Sequence, residues 1–131
     1  MAAAIITCDR VSRQWGCDAR LSIFTVTVTT ATGGTASIDI PNMDGWLMKV
    51  VTNPGATAPT DDYDITLIDE LGIDAAASLL LNRDTTNTEM VTTFVSGAPT
   101  PLFLAGTHTF TVANAGDAKD FVCTLYLLDE I

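Results

Sequence analysis

The residue types that support nucleophilic catalysis are scarce in this chain, which has a single histidine, His108. A serine or cysteine nucleophile needs a neighbouring base, and histidine is the usual one. His108 shares the apolar side of its segment with Phe110 and Val112, which predicts a structural, partly buried histidine. Neither a Gly-x-Ser-x-Gly elbow nor a phosphate-binding glycine loop occurs. We therefore expect no catalytic residues, no cofactor and no enzyme activity.

Carboxylates are abundant, with 16 Asp and Glu residues, and they offer one candidate metal site. Asp61, Asp62 and Asp64 stand close together, and Asp69, Glu70 and Asp74 follow. Ca²⁺ prefers oxygen ligands of this kind, although the segment does not match an EF-hand loop. The alternative is that these acids cap turns or face solvent. Paired carboxylates also hydrolyse glycosides, but spacing in the sequence does not set their separation in space.

The three cysteines, Cys8, Cys17 and Cys123, have no Cys-x-x-Cys spacing, so neither zinc nor a full set of disulfides is indicated. Cys123 lies in an apolar run and is expected to be a small buried hydrophobe. Cys8 and Cys17 either pair across a loop or remain reduced. These features, together with a start that does not resemble a secretory signal, predict folding in a cytoplasm.

The net charge of −10 excludes several partners. The six basic residues form no patch, and nucleic-acid affinity depends on Lys and Arg displacing phosphate counterions. An anionic membrane surface would be repelled for the same reason, and no apolar run is long enough to span a bilayer. We expect neither nucleic acid nor membrane as a partner.

Four aromatic residues are candidates for a sugar-binding face: Trp15, Trp46, Tyr63 and Tyr126. Trp46 and Tyr63 occupy apolar positions of their segments and are expected in the core. Trp15, between Gln14 and Gly16, is the aromatic residue in the most exposed setting. It could stack on a sugar or anchor a protein interface, where Trp is enriched.

Alternation of apolar and polar residues predicts the elements that hold these side chains. Phe24, Val26 and Val28 alternate with threonines from residue 25 to residue 29, as in a strand with one dry and one wet face. The threonine side is a candidate contact surface, and Gly33 and Gly34 suit a tight hairpin after it. The segments that read as strands are 4–8, 20–30, 35–40, 46–52, 63–67, 90–95, 101–104, 107–113 and 120–128.

Segment 46–52 is apolar on both sides, which predicts a strand buried on both faces. One short helix is expected near residues 74–81, with Asp74 as its N-cap and Asn82 at its end. Short strands separated by Gly, Pro and Asn turns indicate an all-β protein: a single antiparallel β-sandwich or jelly-roll-like domain of about eight strands. We place this domain at residues 20–131 and treat residues 1–19 as an N-terminal segment, a candidate arm that contacts other subunits.

Several stretches resemble small virion structural proteins of tailed bacteriophages. They are the strand, polar link and long alternating strand of residues 5–34, GWLMKVVTNPG (45–55) with PTDDYDITLIDELGID (59–74), and PLFLAGTHTFTVAN (101–114). The resemblance covers most of the chain and implies a β-sandwich attached to the head or tail. It transfers no catalytic residues. The subtype most compatible with the chain is a capsid decoration or cement protein.

The resemblance implies a non-enzymatic, homo-oligomeric virion protein, assembled in the host cytoplasm, whose partner is the major capsid protein or another virion protein. Its interface candidates are Arg10, Arg13, Trp15 and Arg20. Two alternatives remain open. One is a tail or head–tail joining component, and the other is a carbohydrate-binding adsorption module.

Overall fold

The structure is a computed structural model that describes residues 3–15, 19–92, 94–95, 98–99 and 102–130. Its strands are β1 (Ile5–Trp15), β2 (Ala19–Thr29), β3 (Ala36–Ile40), β4 (Gly45–Pro54), β5 (Asp64–Ile68), β6 (Glu89–Thr92), β7 (Phe94–Val95), β8 (Ala98–Pro99), β9 (Leu102–Leu104), β10 (His108–Ala113) and β11 (Asp120–Glu130).

Two antiparallel sheets form a β-sandwich, as the sequence predicted. The larger sheet has the order β1-β2-β11-β4-β6, with β9 also paired to β4. The smaller sheet has the order β3-β10-β5, and β7 and β8 pair only with each other. From β2 to β6, each successive strand belongs to the other sheet. The chain therefore winds around one core and does not build the sheets one after the other.

The core lies between the sheets and follows the predicted alternation. Phe24, Val26 and Val28 are buried against residues of the smaller sheet such as Ile65 and Phe110. The threonines between them face outward, because successive side chains of a strand point to opposite faces. The structure also confirms that Cys123 is a buried hydrophobe.

Gly33 and Gly34 adopt positive φ angles of 96° and 80°, as a tight turn requires, but they do not close a hairpin. The strands on either side belong to different sheets, since β2 is already paired on both edges, with β1 and β11. The turn is held by the hydrogen bond from Ala31 N to Thr35 O. The glycine pair therefore makes a corner between the sheets.

The helix expected at residues 74–81 is not present, and the described residues contain no helix. Ala77 and Ser78 have positive φ angles of 52° and 62°, which a right-handed helix does not allow. The segment runs instead along the free edge of β5, where Ala75 N donates to Leu67 O and Ile65 N donates to Leu80 O. In a helix, the backbone groups of this segment would bond to one another. The backbone groups along the free edge of β5 would then lose their hydrogen-bond partners.

The N-terminal segment is built into the larger sheet. The sequence predicted a short strand followed by an irregular link, whereas β1 continues to Trp15 and pairs with β2 along its whole length. The boundary drawn at residue 19 falls at the start of β2, inside this hairpin. Residues 16–18, including Cys17, lie outside the described part, so the suggested pairing of Cys8 and Cys17 is not addressed.

The prediction that residues 46–52 are buried on both faces was wrong. Leu47 and Val50 are buried, whereas Trp46 and Met48 are exposed. A register shift occurs where Lys49 pairs with Tyr126 and Leu47 pairs with Leu127, so Met48 is an extra residue on β4. Such a bulge turns an additional side chain outward. One face of β4 is therefore core, and the other face is apolar but uncovered.

Candidate protein-binding surface

The structure does not gather the candidate calcium ligands into a site. Asp61 and Asp62 are exposed on a turn. The carboxylate of Asp64 accepts hydrogen bonds from Asn82 N at 3.0 Å and from Asn114 Nδ2 at 2.8 Å. Across the described residues, no three His, Cys, Asp or Glu side chains are arranged to hold a metal ion. We propose no metal site on these acids.

Most of the neighbouring carboxylates anchor turns. The carboxylate of Asp69 accepts hydrogen bonds from Leu71 N and Ile73 N. At Asp84, the backbone amide of Thr86, followed by the Asn87 side chain and backbone, holds the pKa of the carboxyl below its usual range. Carboxylates that accept backbone N–H bonds stabilise turns and compete with regular structure. These carboxylates therefore have a structural role in the turns.

His108 is buried on β10, and its Nδ1 lies 3.2 Å from Gly106 O. This is the environment of a structural histidine. Cys8 and Cys123 are both free thiols. Burial raises the pKa of each thiol, with Asp9 adding to the rise at Cys8, so neither is activated as a nucleophile.

A small polar cluster lies inside one end of the sandwich, around Tyr63 and Arg83. The two residues form an isolated antiparallel bridge, and Arg83 Nη1 is 3.6 Å from Glu89 Oε1. Burial raises the pKa of the Tyr63 hydroxyl to about 12. The Thr52 hydroxyl lies near enough to oppose part of this rise, although neither hydroxyl has a hydrogen-bond partner of normal geometry among the described residues.

The aromatic residues are arranged differently from the prediction. Tyr63 is buried, as expected, whereas Trp46 is 41% exposed, which contradicts its expected place in the core. Phe103, which the sequence analysis did not single out, is 64% exposed. The side chain of Trp15 is not among those the structure describes. Among the described side chains, the exposed aromatic residues therefore lie on β4 and β9.

Exposed apolar side chains gather on the outer face of the larger sheet. Of the eight large hydrophobic residues found exposed in the described part, six point outward from this sheet. They are Ile5, Val11, Trp46, Met48, Met90 and Phe103. Scattered exposed hydrophobics are normal on a protein surface, but a contiguous set is typical of an interaction site.

The strand register places most of these residues side by side. Phe103 pairs with Trp46, and Trp46 pairs with Leu128, which is half-buried. The next row of directly opposite residues runs across four neighbouring strands. In it Val11 pairs with Ile23, Ile23 with Tyr126, and Tyr126 with Lys49. We call this region the apolar end of the outer face. It comprises Val11, Arg13, Leu21, Ile23, Trp46, Met48, Lys49, Val51, Met90, Phe103, Tyr126 and Leu128.

Two contacts order the aromatic rings of the apolar end. The rings of Trp46 and Phe103 meet edge to face, with centroids 5.2 Å apart and planes at 61°. Lys49 Nζ lies over the ring of Tyr126 at 4.6 Å from its centroid, a cation–π geometry. Leu21, Met48, Lys49 and Tyr126 also line a shallow hollow of about 350 Å³. Ordered rings beside a hollow provide a rigid contact surface.

The other half of the outer face is the threonine surface that the sequence predicted. Thr25, Thr27 and Thr29 lie beside Thr7 on β1 and Thr124 on β11. The carboxylates of this half stand at its margins: Asp9 on the edge strand, and Asp120, which accepts a hydrogen bond from Thr29 Oγ1 at 2.9 Å. Between these two carboxylates the surface is polar but uncharged, and that part of it can be covered at a small desolvation cost.

Charge separates the two outer faces of the sandwich. Among the described side chains, the apolar end carries Arg13 and Lys49 but no carboxylate. The outer face of the smaller sheet carries Asp39 and Asp64 among threonines, and Thr109 Oγ1 donates to Asp39 Oδ1 at 2.8 Å. In a chain of net charge −10, no described side chain of the apolar end is a carboxylate, and the nearest acids, Asp69 and Glu70, line a hollow with Phe103 at its margin.

The four interface candidates do not form one cluster. Arg10 points inward from β1, where its guanidinium lies 5.4 Å from the centroid of the Phe24 ring and donates to Ser22 Oγ. Arg13 and Arg20 are exposed near the end of the β1–β2 hairpin, where Arg13 pairs with Leu21 and Gln14 pairs with Arg20. Arg10 therefore makes packing contacts within the chain, and its side chain is still exposed.

Sequence reasoning missed Met48, Met90 and Phe103 as surface residues. The apolar run of β4 predicts a strand that is buried on both faces, because a bulge leaves no sign in the hydrophobic pattern. Phe103, between Leu102 and Leu104, carried the one available signal: a three-residue apolar strand must expose its middle residue if its neighbours face a core.

None of the described residues forms a helix long and apolar enough to cross a membrane. The chain matches no protein-family model and no curated protein sequence.

Proposed function

We propose that this protein is a non-enzymatic structural component of a tailed-bacteriophage particle, most consistent with a capsid decoration or cement protein. The observation that carries the proposal is the apolar end of the outer face. It is enriched in Trp, Phe, Tyr and Met and has no carboxylate among its described side chains, which is the composition of protein interface cores. The resemblance of the sequence to small virion proteins supplies the biological setting.

A decoration protein acts by mass action. Bound copies bury surface on assembled capsid subunits, bind the dissociated subunits poorly, and so stabilise the assembled state. A rigid β-sandwich suits this role, because few side chains lose further freedom when a preformed sheet docks. The net charge of −10 suits the outside of a DNA container, where the coat must not adsorb nucleic acid.

The end of the β1–β2 hairpin is the proposed contact with the particle. Arg13 and Arg20 are exposed there, and Arg13 also belongs to the apolar end of the outer face. The matching surface on the major capsid protein, or on another virion protein, would carry carboxylates. Electrostatic complementarity of this kind contributes mainly to association rate and specificity. Trp15 lies on the same hairpin.

Copy number per particle tests the proposal. Quantitative mass spectrometry of purified virions, with the major capsid protein as the internal standard, is expected to find hundreds of copies. A small multiple of three or six would instead support the tail or head–tail joining alternative. Absence of the protein from particles would overturn both.

A second test concerns the hairpin contact. Particles lacking the protein are mixed with the wild type or with the Arg20→Glu variant, and the bound fraction is measured by sedimentation. We expect Arg20→Glu to lose most binding and Lys119→Glu, which changes the net charge by the same amount, to retain it. Lys119 precedes β11 at the opposite end of the larger sheet, so it controls for a change in net charge.

One observation favours the carbohydrate-binding alternative: Trp46 and Phe103 are both exposed aromatic residues. Their planes meet at 61°, so the two rings do not form the flat platform on which a sugar chain stacks. If the alternative holds, a glycan array will show binding that Trp46→Ala abolishes. No binding to any glycan would leave the structural role as the better proposal.

A further inference from the structure

We infer that the apolar end of the outer face binds a second copy of this chain, forming a two-fold dimer in which the larger sheets pack face to face. The inference deepens the proposed function and rests on it for its biological role, because it assigns the apolar end to a second copy and leaves the hairpin end, with Arg20, to the particle. It rests physically on three properties of the face: its composition, its area and its charge.

The composition makes exposure to solvent costly. Trp46, Phe103 and Met90 are 41%, 64% and 61% exposed, and they lie on adjacent strands. Aromatic residues and Met are enriched at protein interfaces, whereas Lys, Glu and Asp are depleted. Lys49 does not break this pattern, because its ammonium group lies over the Tyr126 ring of the same chain.

The area is sufficient for a stable dimer. Strands β1, β2 and β11 have 11 residues each and β4 has 10, and the four are adjacent in the sheet. With strands about 4.8 Å apart and about 3.3 Å per residue, their outer face covers roughly 650 Å² before β6 and β9 are added. A standard interface buries about 800 Å² per partner. Coverage of the apolar end together with the threonine rows therefore reaches the required range.

Charge also favours this face for self-association, because its carboxylates stand at the margins: Asp9 and Asp120 beside the threonines, and Asp69 and Glu70 beside Phe103. Two copies of a chain with net charge −10 repel each other wherever their acids meet. The carboxylates of the smaller sheet, such as Asp39 and Asp64, lie on the far side of the sandwich, about 10 Å behind the larger sheet. In a face-to-face dimer they are separated by more than the Debye length of about 8 Å at physiological ionic strength. The contact is therefore compatible with the high net charge.

Two-fold symmetry also fits a sheet face. An isologous contact uses the same surface on both copies and closes on itself, so it leaves no unpaired apolar face to drive filament growth. Stacked sheets pack with their strands aligned within about 30° or crossed near 90°.

Analytical ultracentrifugation of the purified full chain tests the inference. We expect a species of twice the 13.9 kDa chain mass at high micromolar concentration, persisting in 1 M NaCl because the contact is mainly apolar. The Trp46→Ser/Phe103→Ser double variant is expected to sediment as a monomer. A thermal melt of each variant establishes that it is folded.

A matched pair of single variants localises the contact. Met90 and Ile73 are similarly exposed, at 61% and 59%, but only Met90 lies on the outer face of the larger sheet. Met90→Ser should weaken dimerisation at least tenfold, and Ile73→Ser should leave it unchanged. A wild-type chain that stays monomeric at every concentration overturns the inference, as does a folded double variant that still dimerises. Neither outcome affects the copy number on particles, so failure of the dimer and failure of the proposed function are distinguished.

Discussion

The backbone of Gly34 lies directly against the backbone of Gly116, where the corner after β2 meets the turn before β11. A β-carbon on Gly34 would come well inside normal contact of Gly116 N and within 2.9 Å of Ala115 N. Ala115 N also donates a hydrogen bond to Gly34 O at 3.2 Å. This contact joins the corner between the sheets to the turn that leads back to the larger sheet.

Gly34→Ala is therefore expected to destabilise the protein by about 3 kcal/mol or more, because backbone must move as well as adopt a left-handed φ. Gly33→Ala is the matched control. Gly33 has a φ of 96°, but a β-carbon there meets nothing within 4 Å, so only the strain of about 1 kcal/mol is expected. Urea unfolding of both variants measures the difference. Equal losses would show that the close approach has no energetic role.

Asp74 is the anchor of the segment that covers the β5 edge. Its Oδ1 accepts hydrogen bonds from Leu67 N and Ala76 N, and its Oδ2 accepts one from Ser78 N. Asp74→Ala removes three acceptors at once and should cost about 2–3 kcal/mol. The Leu67 amide should exchange its hydrogen faster, which is measured by NMR.

Asp69→Ala serves as the comparison for Asp74, since Asp69 accepts two backbone hydrogen bonds in an exposed turn. We expect it to cost less than about 1 kcal/mol, because solvent replaces the lost bonds. A smaller loss at Asp74 than at Asp69 would contradict the anchoring role.

Stability at alkaline pH should depend on Tyr63. Burial raises the pKa of this hydroxyl from 10.0 to about 12, so the folded state keeps the proton that the unfolded state has already lost. The free energy of unfolding is then fully present below pH 10 and falls by at most about 1.4 kcal/mol per pH unit as the pH rises toward 12. The measurement is urea unfolding at a series of pH values.

Tyr63→Phe should reduce the alkaline decline, and Tyr126→Phe, at a half-exposed ring, is the control. The raised pKa of the Cys123 thiol adds to the decline above pH 9 and is left in place by both variants. At neutral pH, Tyr63→Phe should change stability by no more than about 1 kcal/mol, because the hydroxyl has no partner among the described residues. An unchanged pH profile would contradict this assignment.

Arg10 should contribute to stability, and Arg13 should not. Arg10 packs over Phe24 and bonds Ser22 from an edge strand, where an inward-pointing charge also discourages edge-to-edge pairing. Arg10→Ala is expected to cost about 1 kcal/mol, with Arg10→Lys recovering part of it. Arg13→Ala, at an exposed position three residues later, should be neutral. Thermal unfolding compares the three, and equal melting temperatures would refute the packing role.

The alternation in β2 and β10 was sufficient to predict these strands and their inward faces. Each of these strands has one face in the core, so its sequence records its environment directly. The prediction of a helix at residues 74–81 was wrong. The helix propensity of Ala and Leu is only a weak preference, and the hydrogen bonds available along the open edge of β5 outweighed it. The prediction that Trp46 is buried was wrong because the apolar pattern of β4 fits two kinds of strand equally well. One kind is buried on both faces, and the other has one buried face and one exposed apolar face.

By itself, the sequence determined an acidic all-β domain with a Phe24-Val26-Val28 core face and a tight turn at Gly33 and Gly34, because period-two alternation and glycine conformation are local properties. Only the tertiary structure decided that β2 is central and β1 is an edge strand, and that Trp46 and Phe103 meet across β4 and β9. Strand pairing and bulges depend on residues far apart in the chain. The apolar end of the outer face exists only when those strands lie side by side.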